Sequence, residues 1–167
     1  MGELVWSASA LPVQPPRRGV PVLSLTSSDL AIPVTGIDRA ALRDSFLAKR
    51  KGHIHAAIDI LAPRGTPVLS ASDGIVTKLR FSGAGGNTVY VNDAQNIEYY
   101  YAHLDHYAAG LHEGQLLRRG EVLGYVGTTG NAPKDTPHLH FALIRLDLER
   151  RWWKGTYVNP YPSLAAR

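Results

Sequence analysis

The stretch His138-Leu139-His140-Phe141-Ala142-Leu143-Ile144, "HLHFALI", is the most informative in the chain because its leading residues alternate with a period of two. Successive side chains of a strand point to opposite faces, so Leu139 and Phe141 enter a core while His138 and His140 share the other face. Two imidazoles roughly 7 Å apart on one face can serve a single reaction centre, or can be two solvated surface groups. Both readings stay open until the pair is set against the rest of the chain.

Upstream, the same texture recurs in shorter pieces: "AIDIL" at 57–61, "TPVLSAS" before a "DG" turn, "GIVTKLRF", "TVYVN", "EYYYAHL", and two short strands around "RRG". Sixteen glycines and eleven prolines punctuate them, as expected of many short strands joined by tight turns. The fold class is therefore mainly β, with antiparallel sheets arranged as a sandwich or barrel-like pair. One short N-terminal helix is predicted in "GIDRAALRDSF", with Asp38 as N-cap and Ala41, Leu42 and Phe46 toward one side. Residues 1–35 carry "LPVQPPRRGVPVL" and no steady period, and read as an extended Pro-rich arm. Residues 36–167 form the domain, closed by an aromatic tail, "RRWWKGTYVNPYPSL", that is expected to pack back on it.

The chain has 167 residues, 44% of them hydrophobic and 19% charged, which suits one domain with a real core and excludes a charge-dominated disordered chain. A net charge of +4 favours acidic partners without choosing one. No stripe of basic and stacking residues suggests nucleic-acid binding. Cysteine is absent, so a metal would have to be held by nitrogen and oxygen. No apolar run reaches membrane-spanning length. The opening "MGELVWSASALPVQPPRRG" lacks the charged start and sustained apolar core of a signal peptide.

Asp59 lies between Ile58 and Ile60, which claim the core, so its carboxylate faces the other way; His55 precedes it by four, in a loop entering the strand. Alone, such a pair reads as an ion pair. Together with His140 it supplies two nitrogens and one oxygen, the set found at catalytic zinc, which keeps a fourth position open for water. His138 then becomes an acid/base candidate beside the metal. His103, at the end of "YYYAHL", reads alone as a strand-end histidine bonded to backbone.

The ordered motifs His55-Ala56-Ala57-Ile58-Asp59, Tyr101-Ala102-His103-Leu104 and His138-Leu139-His140 resemble those of the lysostaphin/LytM-type zinc metallopeptidases, metallopeptidase family twenty-three. The likeness extends through "GGNTVYV", "EGQLLRRGEVLGYVGTTG" and "PHLHFAL", from about Leu42 to Arg145. It implies a lysostaphin-like barrel-sandwich of antiparallel sheets with an open groove, and one Zn2+ per chain on His55, Asp59 and His140. His138 and His103 are implied as the non-ligand catalytic pair. The implied reaction is hydrolysis of peptide crosslinks in bacterial peptidoglycan by metal-activated water, in a monomer located in the periplasm, cell envelope or outside the cell. An alternative from another class is a non-catalytic domain of this fold that binds cell wall or activates an amidase; such domains have lost zinc ligands, and all three are present here. A lipoyl- or biotin-carrier module would need a lysine displayed at a hairpin tip, and none stands there.

Departures from the family pattern set further expectations. Ala57 stands where glycine is usual, and an L-residue in left-handed geometry costs on the order of 1 kcal/mol. Ala57 is therefore expected to have negative φ, with its methyl beside the groove. A tyrosine found in some relatives before the first ligand is replaced by "FLAKRKG", where Arg50 or Lys51 could take over part of its role. The candidate groove residues are Arg50, His53, Ala57, Asn87 and Thr129. His106 and His112 are expected to face solvent; Trp152, Trp153 and Tyr157 could line a glycan or peptide groove, with core or edge packing the preferred reading.

Overall fold

The computed structural model describes residues 30–50, 52–147 and 154–166. Residues 1–29 of the expected arm lie outside the described residues, as do Lys51, Trp152 and Trp153. Among the described residues the strands are β1 (Lys49–Arg50), β2 (His53–Ile54), β3 (Ile58–Leu61), β4 (Pro67–Leu69), β5 (Gly74–Ser82), β6 (Gly86–Asn92), β7 (Ile97–Tyr107), β8 (Leu116–Leu117), β9 (Val122–Val126), β10 (His138–Leu146) and β11 (Gly155–Val158). All the strand pairings are antiparallel.

The stretch "HLHFALIRL" forms β10, inside the large sheet. That sheet runs β11-β10-β7-β6-β5-β8, with β3 also on β10, and β9 joining β4 to β7. The expected alternation holds at the head of β10 and along β3: Leu139 and Phe141 are fully buried, as are Ile58 and, nearly, Ile60. Phe141 packs against the rings of Tyr101 at 5.2 Å and Tyr99 at 6.4 Å between centroids. Each such side chain contributes about 1.5–3 kcal/mol by leaving water. The Tyr101 hydroxyl, fully buried, accepts a hydrogen bond from Ala71 N at 2.9 Å, which satisfies a polar group inside the core.

Residues 30–35, which the sequence assigns to the end of the arm, are docked. Val34 bridges Val68, Leu69 N donates to Pro33 O, and Thr35 N donates to Pro67 O. Leu30 and Val34 are both buried, which gives this proline-bearing segment an apolar reason to stay.

The predicted N-terminal helix is a single 3-10 turn, Arg39–Ala41. Asp38 caps it as expected, accepting from Ala40 N at 3.0 Å. The chain leaves the helix at Leu42, which is buried, while Ala41 is exposed. The α-helix lies at the other end of the chain, α1 (Tyr161–Ala165). Its Leu164 is fully buried, and the Arg39 guanidinium donates to the Leu164 carbonyl. The tail thus packs back on the N-terminal turn.

One charged residue is sealed into the sheet. Glu98 on β7 is fully buried; Thr77 Oγ1 donates to its Oε1, and Oε2 has no hydrogen-bond partner. Burial pushes its carboxyl up from the ordinary value. A raised folded pKa carries no penalty below the unfolded value, and an increasing one as pH climbs to the folded pKa. Glu98→Gln is therefore expected to raise the melting temperature near pH 8, with the gain shrinking toward pH 4. A constant offset between the two melting curves across pH would contradict this.

Candidate metal centre

The centre is assembled by strand register. Across three neighbouring strands, Asp59 on β3 faces His140 on β10, and His140 faces Ala102 on β7. Residues in one such row project from the same face. The core on the opposite face thereby fixes which side chains meet here. His138 lies two positions before His140, opposite Leu61, and points the same way.

His55 arrives from the loop that follows the small β1–β2 hairpin. Its N–H donates to Ala48 O, and that of Ala56 donates to Phe46 O. Ser45 ties two site residues at once: its carbonyl accepts from His55 Nδ1 at 3.0 Å, and its Oγ accepts from Asp59 N at 3.2 Å. The left-handed residue of the loop is Ala56, at φ 55°, and not Ala57.

His103 requires a second irregularity. Strict alternation along β7 would turn it inward with Tyr101 and Tyr99. Instead His103 has φ 61°, a region sparsely used by non-glycine residues in which histidine is enriched. Pairing of β7 with β6 shifts register across this point, between Tyr101 and Leu104, and its pairing with β9 shifts just beyond it, between Leu104 and Tyr107. Ala102 and His103 therefore both line the groove, although they are adjacent. The conformation costs about 1 kcal/mol, and is held by His103 N donating to Gly85 O at 2.7 Å and Nδ1 donating to Thr129 O at 2.8 Å.

Three atoms converge. His55 Nε2 lies 3.0 Å from Asp59 Oδ1 and 3.1 Å from His140 Nδ1, which is 3.2 Å from Asp59 Oδ1. Among the described residues this is the one group of three that could hold a metal ion. His138 Nε2 stands off, 3.8 Å from Asp59 Oδ1, with Nδ1 donating to Thr136 O at 2.8 Å. The His103 ring is 5.0 Å from that of His138 and 5.7 Å from that of His140.

The donor set fits zinc. Because His55 Nδ1–H is engaged by a carbonyl, the neutral ring presents a lone pair at Nε2. Only one proton, on His140 Nδ1, could be shared among three atoms that are otherwise all acceptors. Tetrahedral zinc with ligand bonds of about 2.0–2.1 Å separates neighbouring ligand atoms by about 3.3 Å, close to the distances found here. Electrostatics agree. Burial lowers the His55 pKa, favouring the neutral ring. Burial pushes the Asp59 carboxyl up, but the hydrogen bond from His140 and the surrounding imidazoles outweigh it and hold it at about 2. Burial brings His103 down to about 4.

The triad sits in an open groove of about 790 Å³. Arg50 and His53 line it, His53 outside the triad. Three other expectations are corrected. Ala57 is fully buried and does not line the groove. Asn87 lies beneath the groove, where its amide donates to the carbonyls of Leu104 and Asp105. Thr129 accepts from Asn87 N, donates to Leu104 O and offers its carbonyl to His103. Both are supports. Tyr157 is half exposed and lines the groove with Tyr100, which is the alternative to core or edge packing that the sequence offered. His106 and His112 are exposed, as expected, with His106 stacked on Tyr125. Ser45, Ala56 and Tyr100 are site residues that the sequence does not single out; a serine ten residues before a ligand carries no local signal of its role.

Comparison with known proteins agrees with this geometry. The L-Ala--D-Glu endopeptidase of Bacillus subtilis (strain 168) is 36% identical over 118 residues, covering 68% of this chain and 35% of that protein. The chain thus spans about a third of that relative's length. The catalytic domain of the antimicrobial peptidase lysostaphin from Staphylococcus simulans superposes with a TM-score of 0.59 at 27% identity, covering 70% of this chain and 83% of that one. A zinc containing peptidase from Vibrio cholerae gives a TM-score of 0.55 at 26% identity, covering 77% of this chain and 35% of that one. Residues 53–160 match peptidase family M23, and with the lysostaphin-like fold this establishes that the chain belongs to that family.

Proposed function

We propose that this chain is a zinc-dependent endopeptidase that hydrolyses peptide crosslinks of bacterial peptidoglycan. The observation that carries the reading is the triangle of His55 Nε2, Asp59 Oδ1 and His140 Nδ1, with sides of 3.0–3.2 Å, on the floor of an open groove. His55, Asp59 and His140 would hold the ion. Zinc bound there supplies Lewis acidity, polarising a carbonyl and bringing the pKa of water to about 7.

The remaining chemistry belongs to the protein's own groups. His138 and His103 each spend Nδ1–H on a backbone carbonyl, of Thr136 and Thr129, so each neutral ring presents an Nε2 lone pair. Those lone pairs accept hydrogen bonds from a water between them and the triad, orienting it toward the scissile carbonyl. Once a ring has taken the water's proton, its imidazolium faces the developing oxyanion and can pass the proton to the leaving amine. The open groove admits an extended peptide, and its described acidic residue, Asp59, is paired with Arg50. Acting on peptidoglycan would place the protein in the cell envelope. Among the described residues, no helix is long and apolar enough to cross a membrane.

The test combines zinc analysis with release of new amine termini from purified peptidoglycan. Chelation is expected to stop release and added zinc to restore it. A metal-free protein that releases no amines before or after zinc addition would overturn the assignment.

A further inference from the structure

Arg50 sits on β1, paired with His53 across the hairpin turn, and its Nη2 lies 2.6 Å from Asp59 Oδ2. The two oxygens of Asp59 are therefore divided. Oδ1 faces His55 and His140, and Oδ2 faces the guanidinium. The Arg50 side chain is 46% exposed, and an ion pair that open to water contributes little to stability. Its contact is nonetheless charge-assisted and directional, the kind that orients a carboxylate.

Orientation matters because a catalytic zinc site keeps three protein ligands and one open position. A carboxylate free to rotate can ligate through both oxygens and fill that position. We infer that Arg50 is a positioning residue that holds Asp59 to one-oxygen ligation and so keeps the fourth position open. The inference rests on the metal reading of His55, Asp59 and His140. The hairpin then has two roles, since the segment that delivers His55 also restrains Asp59.

The experiment uses the full chain, loaded separately with zinc and with cobalt(II), as wild type, Arg50→Gln and Arg50→Lys. Three quantities are read: zinc affinity by chelator competition, the visible absorption of the cobalt form, and kcat and KM on purified peptidoglycan. Arg50→Gln is expected to weaken the intense tetrahedral cobalt bands toward those of a higher-coordinate ion. Zinc affinity or kcat is expected to fall by about 10- to 100-fold, with KM little changed. Arg50→Lys is expected to recover part of both, since an ammonium restores the charge without the planar fork. A cobalt spectrum and zinc affinity equal to wild type in Arg50→Gln would overturn the inference, as would a change confined to KM, which would make Arg50 a substrate contact. If wild type takes up neither metal, the metal reading itself fails and takes the inference with it.

Discussion

His138→Ala is expected to keep zinc and lose turnover, whereas His140→Ala is expected to lose both. The two residues are separated by one leucine and lie on the same strand face, yet they stand differently toward Asp59. His140 Nδ1 is 3.2 Å from Asp59 Oδ1 and 3.1 Å from His55 Nε2, inside the triangle. His138 Nε2 is 3.8 Å from the same oxygen and outside it. Removing His140 leaves two ligand atoms, one short of the three protein ligands of a catalytic zinc site. Removing His138 deletes a proton-transfer group, which typically lowers the rate by about 10²- to 10⁴-fold. The measurement is metal content per chain together with amine release, with circular dichroism to establish that both variants fold. Equal metal loss in the two variants would show that the division of labour is wrong.

A second large effect is expected from one methyl group placed outside the ligand triad. Gly130 has φ +70°, and a Cβ there would lie 2.3 Å from Gly86 N and 2.4 Å from Ala84 O. Both neighbours are backbone and cannot swing aside. Left-handed strain of about 1 kcal/mol adds to an overpacking cost of about 1–3 kcal/mol, so Gly130→Ala is expected to lose about 2–4 kcal/mol of stability. The consequence should reach the site. The loops that cross here carry the Gly85 and Thr129 carbonyls, which hold His103 in its left-handed conformation. The variant is therefore expected to lower kcat even below its melting transition while zinc content stays near wild type. Denaturant unfolding, metal analysis and amine release together check this. A variant as stable and as active as wild type would mean that the crossing is not rigid.

Much of the centre is legible in the sequence because it depends on period and spacing. Leu139 and Phe141 fall inside, so His138 and His140 must share the outer face. Ile58 and Ile60 do the same for Asp59. Once β3 and β10 pair as neighbours, Asp59 and His140 come opposite each other by register. The family resemblance adds His55 and His103, which alternation alone does not place. The α-helix at Tyr161–Ala165 is not legible in this way, since a proline-bearing aromatic tail has no helical period to read.

The mainly β architecture, the family, and the face on which two histidines and an aspartate lie all follow from local chemistry: apolar alternation, turn residues and the order of motifs. The tuning of the site does not. The left-handed turn at His103, the strained Ala56, the Ser45 contacts and the Arg50 hold on Asp59 depend on tertiary contacts between segments that local sequence does not bring together. A backbone conformation that local preference disfavours persists only where packing and hydrogen bonds from elsewhere outweigh its cost. No short window of residues around His103 contains the Gly85 and Thr129 carbonyls that hold it there.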